Sequence, residues 1–363
     1  MQTHAFSKDI KIVLLMAGHG TRWGELSSVI PKPCIPFLNY PFIDFILSYL
    51  KNWHVKDVYC NLYHLPNVIL KNLEKHSDSF HFHISHELNL LGTAGGIKRI
   101  LQLYGESTTF VINADVFCPI PVSPLFSYHE RKNTDITLCI KPLLPQLTYT
   151  PLHTDNKGRV FLDNCADCIE KKYFYTGASL LEPRIFSRIQ SDSYADLAKD
   201  VFFNHNANIA LMGYKIRSFW IDIGTPQKYL DATAIFMQYI KKCMNLKWLP
   251  EDFRRNQMFE YKRKSVLLFD RNAKTGSDMF EGFVVAGYKA FIANDVYIRN
   301  SVLMQESTVL SGATLDHCIV GPSVVIKPGS SYKNKLILSR AWLGSTQPIP
   351  STQQDKQNML VDI

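Results

Sequence analysis

The residues best suited to chemistry lie in a loop near the start of the chain. Three glycines punctuate this loop: Gly18, Gly20 and Gly24. They follow the apolar run 12–15, which is typical of a buried parallel strand. Glycines allow backbone amides to close around an anion, and Arg22 and Lys32 add positive charge, Lys32 between two prolines that limit its movement. The stretch therefore indicates a binding site for a polyphosphate.

Two well-known phosphate-binding loops do not fit this stretch. The dinucleotide fingerprint needs a glycine where Trp23 stands, and a P-loop ends in Gly-Lys-Ser/Thr, which the sequence lacks. The segments GHGTR at 18–22 and PKP at 31–33 instead resemble the signature of sugar-1-phosphate nucleotidyltransferases. Trp23 stands where that family usually has leucine, a departure that affects loop packing more than charge. The resemblance implies an α/β fold with a Rossmann-like, doubly wound mixed sheet, similar to GT-A folds.

A second glycine-rich motif, ELNLLGTAGGI, spans residues 87–97. Its glycines predict a break in regular structure, and Thr93 is placed to cap the helix that follows. By itself the motif indicates only a tight turn, but its LGTAG core matches the family segment that lines the nucleotide base and ribose. The resemblance implies these nucleotide-binding residues: Met16, Ala17, Gly18, Gly20, Thr21, Glu87, Leu91, Gly92, Thr93, Gly95 and Asn113.

Two aspartates lie at the ends of predicted strands. Asp115 follows the apolar strand 109–113, and ligands of doubly wound sheets gather beyond the carboxyl ends of strands. From these residues alone, a metal ligand and a turn-capping aspartate are equally good interpretations. Asp222 lies in the predicted strand 219–223, which precedes a glycine and Thr225 as the N-cap of a helix. Resemblance to the family motifs N-G-D and W-x-D-I-G-T-P implies that both carboxylates bind Mg²⁺.

The sugar side of the site follows from resemblance alone. Many family members carry Glu-Lys-Pro, whose lysine meets the sugar phosphate, whereas this chain has EKK at 170–172, without the proline and close to the next motif. Either Lys171 or Lys172 is therefore the implied ligand of the sugar phosphate. Thr176 and Gly177 match the family's T-G segment at the sugar pocket.

A different rhythm begins near residue 285. Large apolar residues stand six apart, at Val285, Phe291, Tyr297, Leu303, Val309 and Leu315. A six-residue period predicts a solenoid of short parallel strands, which resembles a left-handed β-helix. The predicted organisation is a catalytic domain over 1–244, a connector over 245–280, the β-helix over 281–345 and a flexible tail over 346–363. Because stacked coils leave flat faces and an open end, we expect the β-helix to mediate self-association.

Composition narrows the class of protein. The 363 residues suit two domains, and the net charge of +8 is scattered except for a basic cluster over 254–264. A solvated face explains that cluster better than nucleic-acid binding.

The eight cysteines are dispersed, and the pair Cys165 and Cys168 lacks the second pair of ligands that a zinc site needs. His81 and His83 fit a half-exposed edge strand better than a metal site. With no apparent leader and no run of ~20 apolar residues, we expect a cytoplasmic protein without membrane contact.

The motifs together predict an enzyme. We expect Mg²⁺-dependent transfer of a nucleoside monophosphate from an NTP to a sugar 1-phosphate, with Arg22, Lys32, Asp115 and Asp222 as catalytic residues. The resemblance favours GTP with mannose 1-phosphate or heptose 1-phosphate, in cell-envelope polysaccharide synthesis. Two alternatives stay open: a uridylyltransferase acting on N-acetylmuramate 1-phosphate or a hexose 1-phosphate, and a non-catalytic regulatory homologue that binds nucleotide sugars.

Overall fold

The computed structural model describes residues 10–145, 147–163, 171–203, 209–242, 248–262, 264–344 and 357–363. The described strands are β1 (Lys11–Leu15), β2 (Pro36–Phe37), β3 (Tyr40–Pro41), β4 (Asp57–Leu62), β5 (His81–His86), β6 (Thr109–Asn113), β7 (Val116–Phe117), β8 (Ile136–Pro142), β9 (His153–Thr154), β10 (Val160–Phe161), β11 (Tyr173–Leu181), β12 (Leu211–Lys215), β13 (Ile221–Asp222), β14 (Gln257–Tyr261), β15 (Ser265–Asp270), β16 (Lys274–Thr275), β17 (Phe280–Ala286), β18 (Phe291–Ile292), β19 (Tyr297–Leu303), β20 (Thr308–Val309), β21 (Thr314–Asp316), β22 (Ile319–Val320), β23 (Val325–Ile326), β24 (Ser331–Lys333), β25 (Lys335–Ser339) and β26 (Asn358–Asp362). The described α-helices are α1 (Phe42–Lys51), α2 (Pro66–Glu74), α3 (Gly92–Tyr104), α4 (Val122–Lys132), α5 (Pro226–Lys242), α6 (Glu251–Asn256) and α7 (Arg340–Leu343). Short 3₁₀ turns cover Thr21–Ser28, Lys32–Cys34 and Pro183–Phe186, and a π turn covers Leu197–Phe202.

The chain divides into two compact units, each built from two segments. The first unit joins the residues up to His19 with Trp53–Trp220, and the second joins Gly20–Asn52 with Ile221–Ile363. Within the described ranges, every helix is too short or too polar to cross a membrane. The predicted domain boundaries at 244, 280 and 345 stay predictions.

A seven-stranded mixed sheet forms the centre of the first unit, in the order β12-β8-β11-β6-β1-β4-β5. Strand β1 runs parallel to both β4 and β6, while β11 runs antiparallel to its neighbours β6 and β8. This arrangement confirms the predicted α/β fold and the strands after which the glycine loop and Asp115 were expected. The predicted edge strand with His81 is β5, and it lies at the edge of this sheet.

The core of the first unit explains why β1 and β6 are almost continuously apolar. Val13 and Val111 pack in one buried cluster with Ile97 of α3 and with Phe202 of the π turn. A central strand covered in this way has few positions that tolerate polar residues. The carboxyl ends of β1 and β6 are thereby held in a rigid frame, at the point where the predicted nucleotide-binding residues follow.

The C-terminal part of the second unit is a β-helix of short parallel strands, as the sequence predicted. Residues on adjacent coils are 17 positions apart, as in the pair Arg299 and Asp316. The inward-facing side chains advance by six, six and five residues: Ala286, Ile292, Ile298, Leu303, Val309, Leu315, Val320 and Ile326. A constant six-residue step therefore cannot follow the core for a whole coil. The handedness of the β-helix stays a prediction.

The apolar repeat seen in the sequence is offset by one residue from the core at two of its positions. Phe291 is 42% exposed and Tyr297 is half-buried, whereas the neighbouring Ile292 and Ile298 belong to the core. A one-residue error in a strand moves a side chain to the opposite face, because successive side chains alternate.

Regular strands occur in the segments predicted as the connector and the flexible tail. Strand β15, within residues 245–280, pairs in parallel with β17. Strand β26 pairs antiparallel with β25, inside the predicted flexible tail. Met359 of β26 is buried, and the pairing covers backbone groups of β25 that would otherwise form an exposed edge. Residues 346–356 of that tail lie outside the described ranges.

An aromatic cluster holds the N-terminal segment of the second unit against α5. Phe37 lies edge-on to Phe45 of α1 and to Phe236 of α5, with ring centroids 5.6 Å apart in both pairs. Tyr229 of α5 donates its hydroxyl hydrogen to the carbonyl of Pro36 at 2.7 Å. Helix α5 also packs against β17 and β19. The segment that carries Arg22 and Lys32 therefore rests on the same helix that follows Asp222.

Candidate active site

The sequence-predicted site residues are divided between the two units. The second unit carries Gly20, Thr21, Arg22, Lys32 and Asp222. The first unit carries Met16, Ala17, Gly18, Glu87, Leu91, Gly92, Thr93, Gly95, Asn113, Asp115, Lys171, Lys172, Thr176 and Gly177.

Trp23 fixes the glycine loop of the second unit. Its side chain is fully buried, and Nε1 donates a hydrogen bond to the carbonyl of Ile223 at 2.8 Å. Its ring also lies edge-on to Tyr229, with centroids 5.5 Å apart. The residue that departs from the family pattern therefore attaches the loop directly to the segment after β13. The exposed Thr21 and Arg22 immediately precede this anchor.

The side chains of Arg22 and Asp222 both lie close to Gly224. A Cβ atom added to Gly224 would lie 2.7 Å from Oδ1 of Asp222 and 3.6 Å from Nη2 of Arg22. A side chain at this position would therefore require the carboxylate to shift. A predicted phosphate-binding cation and a predicted metal ligand thus approach the same glycine.

Lys32 lies against the other end of the glycine loop. Gly20 has a left-handed φ of 69°, which favours glycine, and a Cβ added there would lie 3.5 Å from Cβ of Lys32. Lys32 begins a 3₁₀ turn in which the amide of Ile35 donates to the Lys32 carbonyl at 3.1 Å. The predicted restriction of Lys32 by its flanking prolines therefore takes the form of a closed turn.

Both carboxylate oxygens of Asp222 accept hydrogen bonds inside the second unit. Oδ1 accepts from the amide of Gly224 at 2.5 Å, and Oδ2 accepts from Nζ of Lys228 at 2.7 Å. The amide of Lys228 donates to Oγ1 of Thr225 at 3.2 Å, which confirms Thr225 as the cap of α5. Sequence reasoning missed Lys228, although its position one turn into the capped helix was a usable signal.

In the first unit, a buried chain of hydrogen bonds joins three segments. The amide of Met16 donates to Oδ1 of Asn61 at 2.9 Å, and Nδ2 of Asn61 donates to Oε1 of Glu87 at 2.8 Å. The amide of Leu91 donates to Oε2 of Glu87 at 2.9 Å. Burial raises the pKa of Glu87, an effect opposed by the bonds from Leu91 and Asn61. Glu87 therefore links the residue after β1, through Asn61, to the LGTAG motif.

The amides of the LGTAG motif are bonded to the chain itself. The amides of Ala94 and Gly95 both donate to the carbonyl of Ala195, at 2.9 Å and 3.2 Å. Gly92 has a φ of 72°, and a Cβ added there would lie 2.5 Å from the same carbonyl oxygen. These glycines therefore permit close contact with the segment around Ala195. No role for Ala195 or its neighbours was predicted from the sequence.

Thr93 does not cap α3 as predicted. The helix begins at Gly92 without a side-chain cap, so Thr93 is already inside its first turn. Its Oγ1 donates to Oδ2 of Asp196 at 3.3 Å and accepts from the amide of Leu197 at 2.7 Å. The hydroxyl is used for tertiary packing because the Ala195 carbonyl already binds the first amides of the helix.

Gly177 brings β11 close to the turn that carries Asp115. Gly177 has a φ of 86°, and a Cβ added there would lie 3.1 Å from Nδ2 of Asn113. The amide of Ala114 donates to the carbonyl of Leu15 at 3.2 Å, which ties the same turn to the end of β1. Asp115 is half-buried in this turn.

Thr176 uses its polar groups internally. Its hydroxyl donates to the carbonyl of Cys139 at 2.8 Å, and its carbonyl accepts from Nε1 of Trp220 at 2.9 Å. Lys171 and Lys172 are both exposed. The structure does not rank these two lysines, and residue 170 of the EKK segment lies outside the described ranges, as do Cys165 and Cys168.

Sequence reasoning also missed Lys141 and an apolar cavity. Nζ of Lys141 donates to the carbonyl of Ser218 at 2.5 Å, and burial lowers the pKa of this lysine.

A cavity of about 550 Å³ lies in the first unit. Its lining includes Tyr149, Leu152, Tyr175, Asp196, Lys199 and Phe202. The signal for the cavity was the aromatic content of the segments around 149 and 175.

The donor set suits Mg²⁺ only in part. Asp115 and Asp222 supply hard carboxylate oxygens, the ligands that Mg²⁺ prefers together with water and substrate phosphates. Across the described ranges, no three His, Cys, Asp or Glu side chains are close enough together to form a complete metal site. The role of Asp115 and Asp222 in binding Mg²⁺ therefore stays a prediction.

The sheet topology defines an α/β protein, and its glycine loop carries two cations suited to a polyphosphate. The sequence profile of the Nucleotidyl transferase family matches residues 11–238, and the chain belongs to that family. Mannose-1-phosphate guanyltransferase from Aspergillus fumigatus is 25% identical over 339 residues, which cover 91% of each chain. The enzyme of the same name from Yarrowia lipolytica is 25% identical over 240 residues, covering 64% of this chain and 66% of the relative.

A solved structure is similar in fold to part of this chain. HddC from Yersinia pseudotuberculosis superposes with a TM-score of 0.53 at 22% identity, covering 62% of this chain and 99% of that chain. The same values hold for HddC in complex with GMP-PN. At this identity the likeness shows the fold alone.

Proposed function

We propose that this protein transfers GMP from GTP to a sugar 1-phosphate and releases pyrophosphate. The observation that carries this proposal is that Arg22 and Asp222 both lie close to Gly224, in a chain of the nucleotidyl transferase family. Relatives named mannose-1-phosphate guanyltransferase that span 91% of the chain favour GTP over UTP. Mannose 1-phosphate and heptose 1-phosphate are the acceptors we propose.

The reaction needs no covalent intermediate on the protein. An oxygen of the sugar phosphate attacks the α-phosphorus of GTP in line, while the bond from that phosphorus to the pyrophosphate oxygen breaks and its electron pair leaves with pyrophosphate. Arg22 and Lys32 bind the departing pyrophosphate and stabilise its developing charge. Lys171 or Lys172 orients the sugar phosphate. Catalysis then comes from positioning and charge neutralisation.

Asp115 and Asp222 would hold Mg²⁺, in keeping with their hard oxygen donors. When bound, the ion neutralises phosphate charge and polarises the α-phosphate. Trp23 keeps the loop of Arg22 attached beside Ile223, and Gly224 leaves space between the guanidinium and the carboxylate. These contacts hold the second-unit part of the site in place before substrate arrives.

Oligomerisation through the β-helix is part of the proposal. Phe291, Thr308 and Val325 occupy matching positions on successive strands of one face, and Phe291 and Val325 are 42% and 40% exposed. Exposed apolar residues in register favour contact with a second copy of this chain. Sedimentation of the full chain and of Phe291→Ser tests this; an unchanged sedimentation coefficient for the variant would exclude this face.

The decisive experiment measures pyrophosphate release by the full chain. GTP, UTP, dTTP, ATP and CTP are each paired with mannose 1-phosphate, heptose 1-phosphate and N-acetylmuramate 1-phosphate, with Mg²⁺ or with EDTA. We expect release with GTP and Mg²⁺, and its loss in Asp115→Asn and in Asp222→Asn. Nucleotide binding without release in any pair would instead identify a regulatory homologue, and release with UTP would identify the uridylyltransferase alternative.

A further inference from the structure

The Asp222 carboxylate already has a cationic partner within its own unit. Lys228 places Nζ 2.7 Å from Oδ2, while the Gly224 amide occupies Oδ1 at 2.5 Å. The Asp222 side chain is only 11% exposed and the Lys228 side chain 26%. An ion pair of this kind is less screened by water and salt than a surface pair.

The position of Lys228 in its helix makes this pairing specific. Lys228 lies in the first turn of α5, where its amide is bound by Oγ1 of Thr225. A positive side chain is unfavourable at this end of a helix, because the partial charge of the helix N-terminus is also positive. The adjacent Tyr229 is fully buried, so the backbone of Lys228 cannot shift easily. The carboxylate of Asp222 offsets a charge that the helix alone disfavours.

We infer that Lys228 is a resident counter-ion that competes with the divalent cation for Asp222. The inference rests on the proposed function, in which Asp222 holds the cation. In the metal-free protein the ammonium group neutralises the carboxylate. When the divalent cation binds, the two positive charges repel at one carboxylate, so the ammonium group has to move away from Oδ2. Binding of the metal is weaker by the free energy of the ion pair that it replaces.

The test measures metal binding directly, without substrate or turnover. Mn²⁺ is the probe, and its free concentration is followed by electron paramagnetic resonance during titration of the full chain. Lys228→Gln removes the charge and keeps a polar side chain of similar length. We expect Lys228→Gln to bind Mn²⁺ about ten- to hundredfold more tightly than the parent. The free energy of a hydrogen bond to a charged group corresponds to a factor of about that size in a dissociation constant.

Two further variants control for charge and for folding. Lys242→Gln removes the same charge from the exposed end of the same helix, and we expect the parent affinity. Lys228→Arg keeps the charge, and we expect an affinity close to that of the parent. Thermal unfolding of each variant reports on its fold.

Three outcomes would contradict the inference. Unchanged or weaker Mn²⁺ binding by a folded Lys228→Gln would show that Lys228 only positions Asp222, while the proposed function would stand. Equal tightening by Lys228→Arg would show that charge is not the cause. Absence of Mn²⁺ binding in both the parent and Lys228→Gln would remove the metal role of Asp222, and with it both the inference and that part of the proposed function.

Discussion

The two glycine-rich segments of this protein differ in how closely the rest of the chain approaches them. In the loop around Arg22, a Cβ atom added at Gly18 or Gly24 would meet nothing within 4 Å, and Arg22 is exposed. In the LGTAG segment, the amides of Ala94 and Gly95 both donate to the carbonyl of Ala195. Glycine in the first segment leaves its surface open, whereas glycine in the second allows one part of the chain to close on another. Changes in the first should therefore affect catalysis, and changes in the second should affect stability.

The largest effect is expected from Arg22→Ala. Removal of one preorganised charge partner of the transition state lowers turnover by about a hundred- to thousandfold. The free energy of unfolding should hardly change, because the Arg22 side chain is exposed. Steady-state pyrophosphate release and urea unfolding measure the two quantities. Lys32→Ala serves as the parallel variant; full activity in both would show that the loop does not carry the proposed chemistry.

A stability effect is expected from Gly96→Ala, next to the LGTAG segment. Its Cβ would lie 2.6 Å from Nδ2 of Asn61 and 2.8 Å from Oε1 of Glu87, so the buried hydrogen bond between them must break or shift. We expect a loss of about 3 kcal/mol in the free energy of unfolding, from overpacking and the damaged hydrogen bond. Urea unfolding gives this value.

Gly18→Ala is the matched control for that variant. Nothing lies within 4 Å of a Cβ at Gly18, so its free energy of unfolding should stay within about 0.5 kcal/mol of the parent. Equal destabilisation of the two variants would abolish the distinction between the two glycine-rich segments.

Trp23→Leu tests the link between stability and catalysis in the loop. The change introduces the residue usual in the resembling family, but it removes the Nε1 hydrogen bond to Ile223 and the ring contact with Tyr229. We expect a loss of about 2 kcal/mol in the free energy of unfolding and a lower turnover, because Arg22 loses its neighbouring anchor. Trp23→Phe keeps an aromatic ring, so its free energy of unfolding and its turnover should lie between those of the parent and those of Trp23→Leu. Parent turnover in Trp23→Leu would show that the anchor is dispensable for catalysis.

The smallest effect concerns pH. Burial raises the pKa of Glu87 in the folded protein above its usual value, so the folded state favours the protonated carboxyl. The stabilising contribution of Glu87 to the folded state is present at low pH and is lost as pH rises through the raised pKa. Glu87→Gln has no such titration. Its free energy of unfolding, compared with that of the parent at the same pH, should therefore rise between pH 4 and pH 8. A constant difference across that range would show that Glu87 does not titrate differently in the two states.

The sequence by itself determined the local features of this protein. The apolar run before Gly18 predicted β1, the Thr225 cap predicted the start of α5, and the apolar repeat near residue 285 predicted a β-helix. Each of these depends on side chains close together in sequence, whose spacing is set by the geometry of one strand, helix or coil. The cations of the glycine loop were predicted from their nearness to its glycines, whereas the metal role predicted for the two aspartates came from family resemblance.

Tertiary structure decided which of those features contact one another. The approach of Arg22 and Asp222 to Gly224, the hydrogen bond from Asn61 to Glu87, and the ion pair of Lys228 with Asp222 all depend on packing. Thr93 serves packing rather than capping because the distant Ala195 carbonyl binds the helix first. The 17-residue coil likewise follows from how the strands stack, since a six-residue period in the sequence does not show where each coil loses a residue. Local spacing predicts elements, but contacts between them are set by the packing of the whole unit.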